Sequence, residues 1–313
     1  MRFARLALCA IAVVIAPIVS APDAAAQASM RASSANPDFG GVWVSRWITP
    51  LERPKGVAKL VLTAEETKAA EAAEWIRHNA IDPIEGTESF EFTHFVTVRG
   101  EQRSSLIVDP ADGKLPYTEK GRALGIGARP QTGIDGPEQR ALNERCLVSG
   151  NGFAPHMTAP AGNIRQIVVT PRDVMIWTEL ISQLRIIPTD GRAALGARNE
   201  TVTGRWIDGL LVVETTGIRD PTRGARGSLF PLTRNTVITE RFALSSPSEI
   251  LYRFTVHDPE LYTQDWTAET VMTRSDERMY EFACHEGNYG LYNILLGARV
   301  VEERAAKKAG GKH

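Results

Sequence analysis

The chain has no basic stripe, no low-complexity tract and no internal repeat. Its 36 Lys and Arg residues face 37 Asp and Glu, a near-neutral sum that argues against nucleic acid or an anionic membrane surface as partner. Past the N-terminal region no apolar run approaches the ~20 residues that a membrane-spanning helix needs, so no membrane span is expected. Recognisable chemistry is scarce too. "GIGARPQTG" has neither the glycine spacing nor the preceding buried strand of a dinucleotide-binding turn, and "SGNG" around Ser149 is not the Gly-x-Ser-x-Gly elbow. A metal site would need three or so of His156, His257, His285, Glu286 and Asp258 to converge, and none has the paired spacing of a His-Glu-x-x-His motif. Neither a metal nor a cofactor is therefore expected. Cysteine is rare: three in the chain, with Cys9 inside the N-terminal apolar run.

That run belongs to a leader pattern. Arg2 and Arg5 precede apolar Leu6 to Ala16, Pro17 closes the run, and Ala26-Gln27-Ala28 fits the small-x-small cleavage rule. Residues 1–28 are expected to be a signal peptide cleaved near Ala28, making the protein periplasmic or secreted. In an oxidising compartment the two remaining cysteines, Cys146 and Cys284, are expected to form a disulfide. A metal–thiolate pair or a reactive thiol is the rival account, weaker because neither cysteine has another close by.

The remainder divides by pattern. "LTAEETKAAEAAEWIRHNA" predicts a helix capped by Thr63, with Glu66 in capping-box position. Gly, Pro and Asp punctuate residues 81–140, which predicts long irregular loops. From Asn163 onward, β-branched and apolar runs alternate with turn signals. "IRQIVVT-PRD-VMIWTEL", "GRWIDGLLVVETTG", "TVITERFAL-SSPS-EILYRFTVHDP" and "WTAETVMTR-SDE-RMYEFAC" each read as a hairpin. The expectation is a mainly β protein, an antiparallel meander closing into a lipocalin-like barrel with a few peripheral helices. Residues 29–302 would form a single β-rich domain, with 29–145 a loop- and helix-rich wrap and 146–302 the barrel. A flexible tail would occupy 303–313.

Strand alternation places Glu179, Glu214, Glu240 and Glu281 among apolar neighbours on strand faces. A buried carboxylate is costly unless paired, and burial moves its pKa towards the range useful for acid–base work. Arg185 and Arg253 are among the candidate partners. Most of these charges are expected to form cross-strand pairs on the solvent face. Among the histidines, His94 shares a strand face with Phe92 and Val96 and reads as a core residue. His156 lies in a Gly/Pro loop of the kind that carries binding residues. His285, next to Cys284 and Glu286, would be held rigidly by the bridge.

Several segments together, "ERCLVSG", "RIIPTDGR", "GRWIDGLLVVETTG", "TERF", "YRFTVHDPELYTQDWT" and "YEFACHEGNYGLYNILLGAR", resemble a large family of exported proteobacterial and acidobacterial proteins. The resemblance covers roughly residues 144–299 and implies no particular reaction. Two stretches depart from the family pattern: Ser182 and Gln183 stand where relatives carry a histidine and an acidic residue, and "GRAALG" replaces "GRPHLP". "GGVW" at Gly40 to Trp43 also resembles the Gly-x-Trp opening of lipocalin-type barrels.

Two functions from different classes follow. One is a cofactor-free acid–base enzyme, a lyase, isomerase or hydrolase acting on a small, possibly aromatic molecule. His285 would act as acid or base, Glu240 or Glu286 would orient it, and Tyr252 would donate a proton. Arg185 or Arg253 would hold an anion, Trp177 and Trp266 would wall the pocket, and His156 and Asp258 would contact the ligand. The other is a non-catalytic periplasmic protein that binds a small apolar ligand in a barrel mouth. A structural envelope protein is a third possibility.

Overall fold

The computed structural model describes residues 36–81, 94–124, 135–140, 145–147, 153–158, 163–196, 199–218 and 230–310. The leader expected over 1–28 and the mature start at Ser29 lie outside them. In chain order the described elements are β1 (Gly41–Val44), β2 (Val61–Leu62), α1 (Ala64–Ile81), β3 (Thr97–Val98), β4 (Glu101–Arg103), β5 (Ile107–Asp109) and α2 (Glu119–Leu124). There follow β6 (Ile164–Val169), β7 (Asp173–Thr178), β8 (Gln183–Pro188), β9 (Ala194–Leu195), β10 (Thr201–Ile207) and β11 (Leu210–Thr216). The last are β12 (Val237–Ser246), β13 (Glu249–His257), β14 (Trp266–Ser275) and α3 (Tyr289–Gly310).

Eleven of these strands make one antiparallel sheet, in the order β8-β7-β6-β1-β14-β13-β12-β11-β10-β9, with β5 pairing along β14. The predicted hairpins account for most of it. Asp208 and Gly209, both at positive φ (50° and 75°), make the two-residue turn between β10 and β11, as an Asp-Gly pair favours. The sheet curls until β10 meets the far end of β8. A Cβ on Gly204 would lie 2.5 Å from Ile187 Cγ2 and 2.8 Å from the Pro188 carbonyl oxygen, so only glycine permits that approach. No ladder joins the two strands. The expected closed barrel is therefore an open, curled sheet, because packing rather than hydrogen bonding brings its ends together.

Two further expectations are corrected. The segment 29–145 does not simply wrap the sheet, since its β1 is inserted between β6 and β14 near the centre. Second, "RMYEFAC" forms no strand after β14. β14 already pairs with β13 on one side and β1 on the other, so no edge is left for it, and Glu281 is exposed.

The apolar core fills the concave side. Along β13, Ile250, Tyr252, Phe254 and Val256 all point inward and are fully buried, as are Ile238 and Phe242 on β12 and Trp266 on β14. A smaller sheet, β2-β4-β3, and α1 form an outer layer around Ile48, Leu62 and Phe95. The capping box is formed as expected: Thr63 N donates to Glu66 Oε2 at 2.8 Å, and Glu66 N donates to Thr63 Oγ1 at 3.3 Å. Lys59 lies 2.9 Å from the same carboxylate. The Thr63 amide, with Lys59 and the Thr63 hydroxyl behind it, holds Glu66 near a pKa of about 2.

Cys146 and Cys284 are bridged, with Cα atoms 5.6 Å apart. Gly287, at φ 72°, turns the chain, and Asn288 Oδ1 accepts from Leu291 N at 3.4 Å to cap α3. α3 continues past Glu302, where a flexible tail is expected, to Gly310. No helix among the described residues is long and apolar enough to cross a membrane.

Candidate functional site

Inside the curl, residues from β8, β11, β12, β13 and the segment 153–158 meet in one polar cluster. Arg185 on β8 alternates inward with Gln183 and Ile187. Its guanidinium forks onto Glu240 of β12: Nη1 donates to Oε1 at 2.9 Å, and Nη2 donates to Oε2. Nη2 also donates to Thr215 Oγ1 of β11 at 3.0 Å. Tyr252, on β13, donates its hydroxyl to Glu240 Oε1 at 2.8 Å and accepts the His156 amide at 2.8 Å. His156 Nε2 lies 3.3 Å from Arg185 Nη1. A guanidinium only donates, so that imidazole nitrogen presents its lone pair and the ring proton sits on Nδ1.

The segment carrying His156 is fastened at more than one point. Beside the His156 amide bond, fully buried Arg165 of β6 donates to the Met157 carbonyl at 3.0 Å, and also reaches Ser45 Oγ and the Asn163 carbonyl. Burial brings the Arg165 guanidinium down to about 10. For Arg185 burial acts the same way, but the Glu240 carboxylate more than offsets it and holds the cation above its usual range. Burial first, then the Glu240 charge, pushes the Tyr252 phenol well above 10. Aromatic rings surround the cluster, with Phe242 4.9 Å and Phe254 5.8 Å from Tyr252 between centroids.

The chain matches no protein-family model, no curated protein and no solved structure.

The candidate residues thus divide. Arg185, Glu240, Tyr252 and His156 converge. His285 and Glu286 do not: both are exposed in the turn after the bridge, where Cys284 fixes the backbone but none of the described residues encloses the side chains. Arg253 sits on the opposite face of β13 from Tyr252, in register with Glu269 of β14. Trp177 is half-buried on the outer face of β7, and Trp266 is a core residue packed against Phe230, 4.7 Å between centroids. Asp258 is buried but tied into a turn, accepting from Thr233 N, Thr233 Oγ1, Thr236 Oγ1 and Glu260 N. His94, expected in the core, is 79% exposed beside Glu71, because the strand starts only at Thr97. Among the described residues no group of His, Cys, Asp and Glu is arranged to hold a metal ion.

Thr215 and the buried Glu269 were not singled out from the sequence. Glu269 lies on the outward face of β14, where Arg99 from the overlying small sheet donates to it at 2.9 Å. Thr215 shares an inward phase with Val213 and Leu211, the one signal that pointed to it. That overlying sheet also borders a groove of about 450 Å³, lined by Leu62, Lys68, Glu71, His94, Glu101 and others. Its Glu71 is already engaged, accepting from Phe95 N at 2.7 Å.

Three of the six tyrosines, Tyr117, Tyr252 and Tyr262, are shifted upward, Tyr117 to about 12 and Tyr262 further, each chiefly by burial. A folded pKa above the unfolded value leaves stability intact below about 10 and removes it as pH rises beyond that. Spectrophotometric titration is expected to show these three phenols ionising only together with unfolding. Full phenolate absorbance at pH 11 in a protein that keeps its native circular dichroism would refute their burial.

Proposed function

We propose that this is an exported protein that takes up a small, polar-aromatic molecule on the concave side of its sheet and performs cofactor-free acid–base chemistry on it. A lyase, isomerase or hydrolase reaction fits. The observation that carries the proposal is the cluster itself: a guanidinium, a carboxylate, a phenol and an imidazole from four distant segments, in direct hydrogen-bond contact inside an apolar shell. Such groupings, in which burial and a specific charge displace pKa values as they do at Arg185 and Tyr252, are typical of reactive sites. Arg185 holds a substrate carboxylate or enolate. An anion drawn to Nη1 competes with His156 Nε2, which frees the imidazole lone pair to accept a proton. Tyr252 supplies a proton, and Glu240 orients both Tyr252 and Arg185. The leader pattern and the disulfide support export, and the motif resemblance to exported bacterial proteins belongs to the same proposal.

A second account, a carrier of a small apolar ligand, is favoured by the rings packed against the cluster, Phe242 and Phe254. Tryptophan fluorescence titration against aromatic acids and apolar ligands, with products followed by mass spectrometry, separates the two. For the enzyme, His156→Gln and Tyr252→Phe are expected to slow product formation by about 10²–10⁴-fold with binding kept within a few-fold. Binding without product across the panel supports the carrier. A wild-type protein that binds none of these compounds sinks both.

A further inference from the structure

The last helix has two apolar faces, and the described residues cover only one. α3 turns Leu291, Ile294, Leu295 and Ala298 towards the body; Ala298 is buried and the other three are half-buried. On the opposite side, at helical spacing, Tyr289, Tyr292, Leu296 and Val300 are exposed by 73%, 66%, 48% and 39%. Glu303 and Lys307 continue the same stripe, loosely paired at 4.0 Å. The stripe is therefore aromatic at its start, aliphatic at its centre and charged at its end.

We propose that this stripe is an interface between two copies of the chain, α3 packing antiparallel on α3 about a two-fold axis at the level of Ala298. The order of residues argues for that occupant. An antiparallel two-fold brings Leu296 and Val300 of both copies together at the axis. It also sets Lys307 over the ring of the partner's Tyr289, a cation–π contact, and places Glu303 beside the hydroxyl of the partner's Tyr292. A parallel pair would instead face Glu303 with Glu303 and Lys307 with Lys307. The same patch serves both copies, as an isologous interface requires. One helix pair buries less than the ~800 Å² per partner of a standard interface, so the dimer is concentration-dependent.

Sedimentation velocity on the mature, disulfide-bonded protein between about 1 and 300 µM is expected to show reversible dimerisation across that range. Leu296→Glu, at an exposed position, raises the dissociation constant at least about tenfold while the thermal midpoint and circular dichroism stay unchanged. Register is tested separately. The double variant Tyr289→Cys/Lys307→Cys is expected to oxidise to a covalent dimer, while neither single variant does. Cross-linking of each single variant would mean a parallel pair and overturn the proposal. So would a monomer throughout the concentration range. A monomer that sediments with phosphatidylglycerol vesicles, and loses this with Leu296→Glu, would assign the stripe to a membrane surface instead.

Discussion

Glu240→Ala is expected to cost about 3–5 kcal/mol of folding stability, since it leaves a buried cation without its counter-charge. Glu240 is fully buried and Arg185 nearly so, with side-chain exposures of 0% and 4%. After the substitution the guanidinium keeps the Thr215 hydroxyl and the His156 ring nitrogen, neither of which carries charge, and feels the Glu200 carboxylate only as a lesser attraction. Tyr252 simultaneously loses the acceptor of its hydroxyl proton. Urea unfolding with linear extrapolation measures the loss, and an unchanged m-value confirms that the native fold is being compared. The control is the double variant Arg185→Met/Glu240→Leu, which removes both charges and keeps apolar volume. It is expected to recover most of the loss, because a buried ion pair is seldom worth more than a well-packed apolar replacement. If the double variant is nearly as stable as the wild type, stability does not explain why the chain keeps the pair, and the chemical role gains weight. If Glu240→Ala alone costs under about 1 kcal/mol, water reaches the pair and the interior is not the low-dielectric site described.

What the sequence disclosed was mostly local. Turn chemistry between β10 and β11 and the Thr63–Glu66 capping box both depend on neighbours in the chain, and both were readable. Pairing was not. Glu214 and Glu240 look alike in sequence, each among alternating apolar residues. Yet the ladder sets Val213 opposite Glu240 and Thr239 opposite Glu214, so the two glutamates must face opposite sides of the sheet. Which one turns inward depends on how the sheet curls, and that follows from contacts such as Gly204 against β8. "RMYEFAC" has a strand's composition but arrives after both edges of β14 are occupied. His156 comes from an irregular segment with no periodicity, and residues remote in sequence, Arg165 and Tyr252 among them, hold it in place. His285 drew attention through a neighbouring bridge, but rigidity of the backbone does not give enclosure of the side chain.

Replacing both Cys146 and Cys284 by serine is expected to lower stability by about 5 kcal/mol in the chain-entropy account, given their sequence separation of 138. That is a large share of the ~5–15 kcal/mol that holds a typical domain together. Before substitution, thiol titration of the unreduced protein should find neither cysteine free. The position of the bridge also sets where the effect appears. Cys284 lies a few residues before α3, whose only buried residue is Ala298, while Asn288, the cap of α3, donates to Cys146 Sγ at 3.4 Å. Without the bridge, α3 is anchored by three half-buried side chains and by Arg299, which donates to the Asp135 carbonyl at 2.9 Å. Amide hydrogen exchange in the serine variant should therefore lose protection throughout α3, at urea concentrations where β12, β13 and β14 keep theirs. The two measurements together discriminate. A global loss near 5 kcal/mol means that the bridge limits the unfolded chain as a whole. If exchange quickens in α3 while global stability falls by less than about 1 kcal/mol, the helix is a separate cooperative unit and the bridge serves mainly to keep it docked.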